Sequence, residues 1–149
     1  MASRFQLPPI VKAAEQLLVD IENAVRRFPC YHRNAIGKKL RKAAMKVYTL
    51  AGRAWFDRAR QAHWVEKLRW AIDKVKERLQ ISKELHALAS FNQFEMLWRQ
   101  AAALGAQAGG WHRHQADPQA QNVPGPRAVA QRGQKLSTRA ASADAGANP

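Results

Sequence analysis

Cysteine is almost absent from this 149-residue chain, in which Cys30 is the only one. A single thiol cannot form an intramolecular disulfide, so no covalent cross-link of that kind supports the fold. Disulfides are typical of oxidising compartments. Their exclusion favours a reducing compartment, which we expect to be the cytoplasm.

Long apolar runs are missing too. No segment approaches the ~18 consecutive apolar residues that a membrane span requires. Near the amino terminus, prolines and charged residues interrupt any apolar stretch before it reaches the length of a secretory signal. These interrupting residues are Pro8, Pro9, Lys12 and Glu15. We therefore expect a soluble intracellular protein without a membrane partner.

Signatures of catalysis and of metal binding are also missing. The sequence contains no glycine-rich phosphate loop, no nucleophile elbow and no paired cysteines. Gly37 precedes two lysines but lacks the upstream glycine of a P-loop. His112 and His114 form a His-x-His pair without further convergent ligands, so a flexible basic segment is the favoured interpretation. We expect no enzyme, no metal site and no cofactor.

Apolar residues recur at helical spacing along the chain as far as residue 111. This periodicity predicts four helices, over about 10–28, 34–56, 62–88 and 90–108. Pro29 should end the first helix. Ser90 and Gln93 form a capping box at the start of the fourth, and Gly109 and Gly110 should end it. Four such helices with short connections predict an all-α fold, namely an antiparallel up-down-up-down four-helix bundle.

The composition changes from residue 112 onward. Nine Ala, five Gln, four Pro and three Gly account for 21 of the last 38 residues, and large apolar side chains are nearly absent. Such a segment cannot bury enough surface to order itself. We therefore predict a four-helix bundle over 1–111 and a disordered, basic, Ala/Gln/Pro-rich tail over 112–149.

Positive charge dominates the chain, with 25 Lys and Arg against 11 Asp and Glu and a formal net charge of +14. No acidic residue occurs from Asn23 through Phe56. On the second predicted helix, the cations occupy an arc of roughly 160° opposite the apolar arc, at about 100° per residue. Like charges four residues apart destabilise a helix slightly, and phosphate ligands would reverse that effect. We predict a nucleic-acid-binding face formed by Arg33, Lys38, Lys39, Arg41, Lys42, Lys46 and Arg53.

Two other interpretations of this charge stay open. A membrane-surface helix would need a free apolar face, which the bundle core requires instead. A merely solvated face would usually mix charge signs, as the third predicted helix does. Because no zinc-finger spacing or clear helix-turn-helix is present, we expect recognition of the phosphate backbone with weak sequence preference.

The third predicted helix carries a second apolar stripe, about 100° away from its main core line. This stripe consists of Trp70, Ile81, Leu85 and Leu88. It could belong to a broader intramolecular core, or it could form a subunit interface, where exposed Trp and Leu are typical anchors. We predict these four residues as an oligomer interface.

A family resemblance adds to these observations. The pattern Phe28-Pro29, then His32-Arg33-Asn34-Ala35-Ile36-Gly37, a basic amphipathic helix and finally Leu104 through Gly109-Gly110-Trp111 resembles the accessory variability determinant proteins of diversity-generating retroelements. The resemblance covers about residues 8–111. At Cys30 and Tyr31 the chain departs from that family, in which polar or charged residues are common at these loop positions.

The resemblance implies a helical-bundle protomer that assembles into a homopentameric barrel. Such a protein binds the reverse transcriptase of the retroelement and its template-repeat RNA or the cDNA, and it supports mutagenic cDNA synthesis. By this similarity, the lysines and the arginine from Lys38 to Lys46 would meet nucleic acid or the polymerase. Small four-helix proteins encoded in ribosomal-RNA intervening sequences are similar, so an rRNA-associated protein is the first alternative. A structural oligomer without nucleic-acid binding is the second.

Overall fold

The computed structural model describes residues 6–116, and the side chains of residues 6–114. All regular structure within these residues is helical, which confirms the predicted all-α class. Of these, residues 6–113 belong to one compact unit. The predicted tail lies, from residue 117 onward, outside the described residues. Four long helices are present: α1 (Pro9–Arg26), α2 (Lys38–Phe56), α3 (Gln61–Glu84) and α4 (Phe91–Ala116).

A single apolar core is shared by the four helices and follows the helical spacing of apolar residues in the sequence. The largest fully buried side chains come from each helix in turn. They include Leu17 and Ile21 of α1, Leu40 and Val47 of α2, Leu68, Ile72 and Leu79 of α3, and Leu97 and Leu104 of α4. Burial of this apolar surface is the main force that holds the helices together.

Specific contacts show which helices adjoin. Glu22 of α1 accepts hydrogen bonds from Arg41 of α2. Gln100 of α4 donates to Asp20 of α1, with 2.7 Å between Nε2 and Oδ2. The ammonium group of Lys76 on α3 lies 5.6 Å from the centre of the Trp98 ring on α4. The indoles of Trp55 and Trp111, near the ends of α2 and α4, meet edge to face with 6.1 Å between ring centres.

Pro29 separates α1 from α2, as predicted, but the connection is shorter than the sequence indicated. Pro29 lies at the N-cap position of a helical turn, Cys30–His32. This turn continues as a π-helical turn, Arg33–Gly37, which leads directly into α2. Helical structure therefore begins at Cys30, about one turn before the predicted start near Asn34, although the regular α-helix of α2 begins only at Lys38. Gly37 explains the close packing here, because a Cβ atom at this position would lie only 2.8 Å from Cγ1 of Val25.

Helix α3 ends at Glu84, so the predicted boundary near Leu88 was wrong. The chain turns at His86, whose φ of 55° is in the left-handed region. The amide of Ala87 donates to the carbonyl of Ser82 at 2.9 Å and that of His86 to Lys83 at 3.0 Å. These two bonds define a Schellman motif, which ends a helix locally without requiring glycine or proline.

The start of α4 confirms the predicted capping function of Ser90 and Gln93. The Ser90 hydroxyl accepts a hydrogen bond from the amide of Gln93 at 3.1 Å. The side chain of Gln93 accepts one in return from the amide of Ala89, also at 3.1 Å. This return bond reaches one residue further back than in a standard capping box.

The predicted end of α4 at Gly109 and Gly110 was wrong, because the helix continues to Ala116. Neither glycine adopts the positive φ that ends a helix, and a Cβ atom on either would meet open space. Trp111 packs against the core and against Trp55 beyond them. This tertiary contact stabilises the helix past a local sequence that favours its termination.

Candidate nucleic-acid interface

The amphipathic pattern of α2 determines where its positive charges lie. Leu40, Val47 and Ala51 are completely buried and fix the orientation of the helix on the core. The cationic residues on the opposite arc therefore point away from the core, and all seven predicted nucleic-acid-binding side chains are exposed. They are Arg33 in the π-helical turn and Lys38, Lys39, Arg41, Lys42, Lys46 and Arg53 on α2.

Arg41 differs from the other members of this face because it is paired. Its Nε atom lies 2.8 Å from both carboxylate oxygens of Glu22 on α1. Residues 23–56 contain no acidic residue, but the packing of α1 against α2 supplies this carboxylate from outside that segment. The positive charge of Arg41 is therefore partly offset.

Arg53, at the far end of α2, is held by an aromatic residue. Its guanidinium lies 5.1 Å from the centre of the Trp64 ring, a cation–π geometry. The indole of Trp64 in turn donates to Asp57, with 2.9 Å between Nε1 and Oδ2. This hydrogen bond, together with the amide and the positive charge of Arg60, lowers the pKa of the Asp57 carboxyl below its usual value, against a smaller opposing effect of burial.

The other five predicted cations are free of ion pairs within residues 6–114. They are Arg33, Lys38, Lys39, Lys42 and Lys46. Four of them follow one another along a single arc of α2, on which lysines four residues apart lie side by side. Their charges repel one another and are balanced only by solvent or by an external anion.

Packing of α2 against α3 extends the positive surface in a way that sequence reasoning missed. An open groove of about 420 Å³ runs between these helices and is lined by Lys46 and Leu50 of α2 and by His63, Lys67, Trp70 and Lys74 of α3. Glu66 supplies the one carboxylate of its lining. The mixed charge signs of the third predicted helix indicated an ordinary solvated face and did not single out Lys67 and Lys74. Their seven-residue spacing, with Trp70 between them, was the available signal.

Of the four residues predicted for an oligomer interface, three are exposed and Leu88 is set apart from them. Trp70 is 74% exposed and belongs to the groove, whereas Ile81 and Leu85 are each 44% exposed near the end of α3. Leu88 lies beyond α3 and packs partly buried against the core. The left-handed turn at His86 separates it from the others, because a helical register no longer applies after that residue.

Two further observations on the described residues concern metal binding and membrane spans. No group of three or more His, Cys, Asp or Glu side chains that could hold a metal ion occurs among them. None of the helices within residues 6–116 combines the length and the hydropathy needed to cross a membrane.

Comparison with known proteins identifies no relative. No protein-family model matches the chain, and no curated protein matches it significantly.

Proposed function

We propose that this protein is a non-enzymatic accessory factor that binds nucleic acid through the exposed face of α2. The observation that carries the proposal is the set of five cations without ion pairs, four of them opposite the buried face of α2 and the fifth, Arg33, in the turn before it. A row of like charges is unfavourable in the free protein and becomes favourable when phosphates replace the counterions. The affinity comes from the phosphate backbone, so we expect little dependence on base sequence.

The resemblance to accessory variability determinants supplies the biological setting of the proposal. In that setting the protein binds the reverse transcriptase and the template-repeat RNA or cDNA of a diversity-generating retroelement and supports mutagenic cDNA synthesis. A neighbouring reverse transcriptase gene and a near-duplicate repeat pair are expected in the genome. An open reading frame inside an rRNA gene would instead favour the rRNA-associated alternative.

We further propose the antiparallel up-down-up-down connection of the helices. Three contacts support it, since each joins the elements that this topology would bring together. Glu22 near the end of α1 meets Arg41 near the start of α2, and Lys83 at the end of α3 lies 4.9 Å from the ring centre of Phe94 at the start of α4. Trp55 and Trp111 join the ends of α2 and α4.

Self-association into a pentamer is proposed from the same resemblance. Ile81 and Leu85 support it, because they are exposed apolar side chains one helical turn apart on α3. Assembly would repeat the α2 face around a symmetry axis, so that weak phosphate contacts of separate subunits act together.

Binding of a structured RNA across a salt series tests the proposal. Five phosphate contacts predict a slope of log affinity against log salt of about −3.5 to −4.5. A variant with Lys38, Lys39, Lys42 and Lys46 changed to Glu should lose most of this binding while keeping its helicity and mass. A slope near zero for the unmodified protein would refute binding by charge.

A charge-matched control separates a local face from net charge. The control changes four exposed cations elsewhere to Glu, namely Lys12, Arg58, Arg69 and Arg113. It has the same formal charge as the α2 variant, so it should retain much more of the binding if α2 is the site. Equal losses in both variants would mean that net charge alone attracts the RNA. Unchanged binding in both would transfer the site to residues 117–149.

A further inference from the structure

The groove between α2 and α3 contains an unusual side chain for a protein surface. Trp70 is 74% exposed, although an indole is among the most favourable side chains to bury. At about 100° per residue it lies roughly 160° around α3 from the buried Leu68. It therefore cannot be the edge of a broader core and presents a large flat ring to solvent.

The surroundings of Trp70 combine an apolar floor with a positive rim. Leu50 and Ala71, each only 6% exposed, line the groove beside the indole. Lys46 of α2 and Lys67 and Lys74 of α3 line it as well. Flat apolar surface next to several ammonium groups matches the chemistry of a nucleotide, which has a flat base and a negative phosphate.

We propose that this groove binds an unpaired nucleotide of a single-stranded nucleic acid, with its base stacked on Trp70 and its phosphates at Lys46, Lys67 and Lys74. The inference rests on the proposed nucleic-acid binding and adds the class of strand. A volume of about 420 Å³ is within the range of small-ligand sites. Stacking on an aromatic side chain requires a base free of its neighbours, so a continuous duplex cannot use the groove.

Two other features of the groove fit this assignment. Lys46 belongs to both the α2 face and the groove, so one strand can follow the α2 lysines and place a base against Trp70. The carboxylate of Glu66 repels phosphate but can accept hydrogen bonds from the N–H groups of bases. It therefore favours the orientation in which the base, rather than the phosphate, lies on its side of the groove.

A second copy of this chain is the competing occupant of the Trp70 surface. Ile81 lies 11 residues further along α3, about 16 Å away at 1.5 Å per residue. A subunit contact centred on Trp70 would also have to desolvate the surrounding lysines, a residue type that is depleted in interface cores. These points favour nucleic acid at Trp70 and leave Ile81 and Leu85 for self-association.

The test compares full-length Trp70→Ala and Trp70→Phe proteins in binding a 12-nucleotide oligouridine RNA and a duplex RNA of equal length. Loss of one stacked base should weaken binding of the single strand about five-fold or more. The Phe variant should retain most of the affinity, and duplex binding should change little in either. Val19→Ala is the matched control, since it removes an exposed apolar side chain of α1, outside both the groove and the proposed subunit contact, and should leave both affinities unchanged.

Two further measurements complete the experiment, namely the position of a cross-link and the mass of the Ala variant. A 5-iodouridine oligonucleotide irradiated on the unmodified protein should cross-link at Trp70, and the sedimentation mass of the Ala variant should be unchanged. Equal single-strand binding by Trp70→Ala would overturn the inference while leaving the α2 proposal intact. A fall in mass without a loss of binding would assign Trp70 to a subunit contact. Absence of any RNA binding by the unmodified protein would reject the proposed function as well.

Discussion

Gly37 is the residue at which α1 and the start of α2 approach most tightly. A Cβ atom there would lie 2.8 Å from Cγ1 of Val25 and 3.1 Å from the carbonyl oxygen of His32. Both neighbours are constrained, because Val25 is buried and the carbonyl belongs to the backbone. Glycine is needed at this position for space, since its dihedral angles are those of an ordinary helix.

Gly37→Ala should therefore destabilise the protein, by about 1–2 kcal/mol from overpacking. Gly52→Ala is the matched control, because Gly52 lies within α2, which Gly37 directly precedes, and its Cβ atom would meet nothing within 4 Å. That change should stabilise the protein by about 0.5–1 kcal/mol through helix propensity. Urea unfolding followed by circular dichroism measures both, and equal effects of the two changes would contradict the proposed close approach.

Asp57 contributes to stability in a pH-dependent way. Its folded pKa is lowered mainly by the hydrogen bond from Trp64, so its stabilising effect is complete above the ordinary pKa of 3.8 and is lost as the pH falls through the lower folded value. Asp57→Ala should lower the Tm at pH 7, and the difference from the unmodified protein should narrow in acid. Asp57→Asn, which keeps an acceptor for Trp64, should show a smaller effect at pH 7. A difference that widens in acid would refute this sign.

At the scale of the element, α2 has one face that packs against the core and an opposite face whose positive charges repel one another. The pairing of Arg41 with Glu22 relieves part of that repulsion but occupies one of the predicted phosphate-binding groups. Because the two side chains are 51% and 37% exposed, the pair contributes little to stability, at most about 1 kcal/mol. Its effect on binding should be larger than its effect on folding.

Glu22→Gln should accordingly increase the affinity for RNA and steepen the salt dependence by up to about 1 in slope, since it frees Arg41 for a phosphate. Glu15→Gln removes one negative charge from an exposed position on the same helix and serves as the control. It should change the affinity less. Identical salt slopes for the two variants would show that Arg41 does not meet a phosphate.

Helical periodicity predicted the elements and their buried faces because it depends on the local sequence. It failed at the end of α3, where no glycine or proline marks the turn at His86, and wherever a distant contact decides the structure. The contact between Trp55 and Trp111 stabilises α4 beyond Gly109 and Gly110. The carboxylate of Glu22 on α1 pairs with Arg41, although the segment around Arg41 has no acidic residue of its own. Likewise, the exposure of the α2 cations followed from the sequence, but the groove at Trp70 depends on which helices are neighbours.

At the scale of the whole molecule, the net charge of +14 opposes the proposed self-association. Copies of the chain repel one another over distances comparable to the Debye length, which is about 10 Å at 0.1 M salt. A contact through Ile81 and Leu85 must overcome this repulsion. Salt or a bound polyanion screens the charges, so either should promote self-association.

The mass of the protein measured by sedimentation should thus rise with salt or on addition of RNA. Changing Ile81 and Leu85 together to Asp should abolish that rise, because charged groups cannot be buried at an apolar contact without a large desolvation cost. Val19→Asp introduces a carboxylate at another apolar side chain of similar exposure, 46% on α1, and should leave assembly intact. If the double variant still assembles, either the contact lies elsewhere or the RNA alone holds the copies together. A mass that falls as salt rises would mean that opposite charges, rather than apolar surfaces, join the subunits.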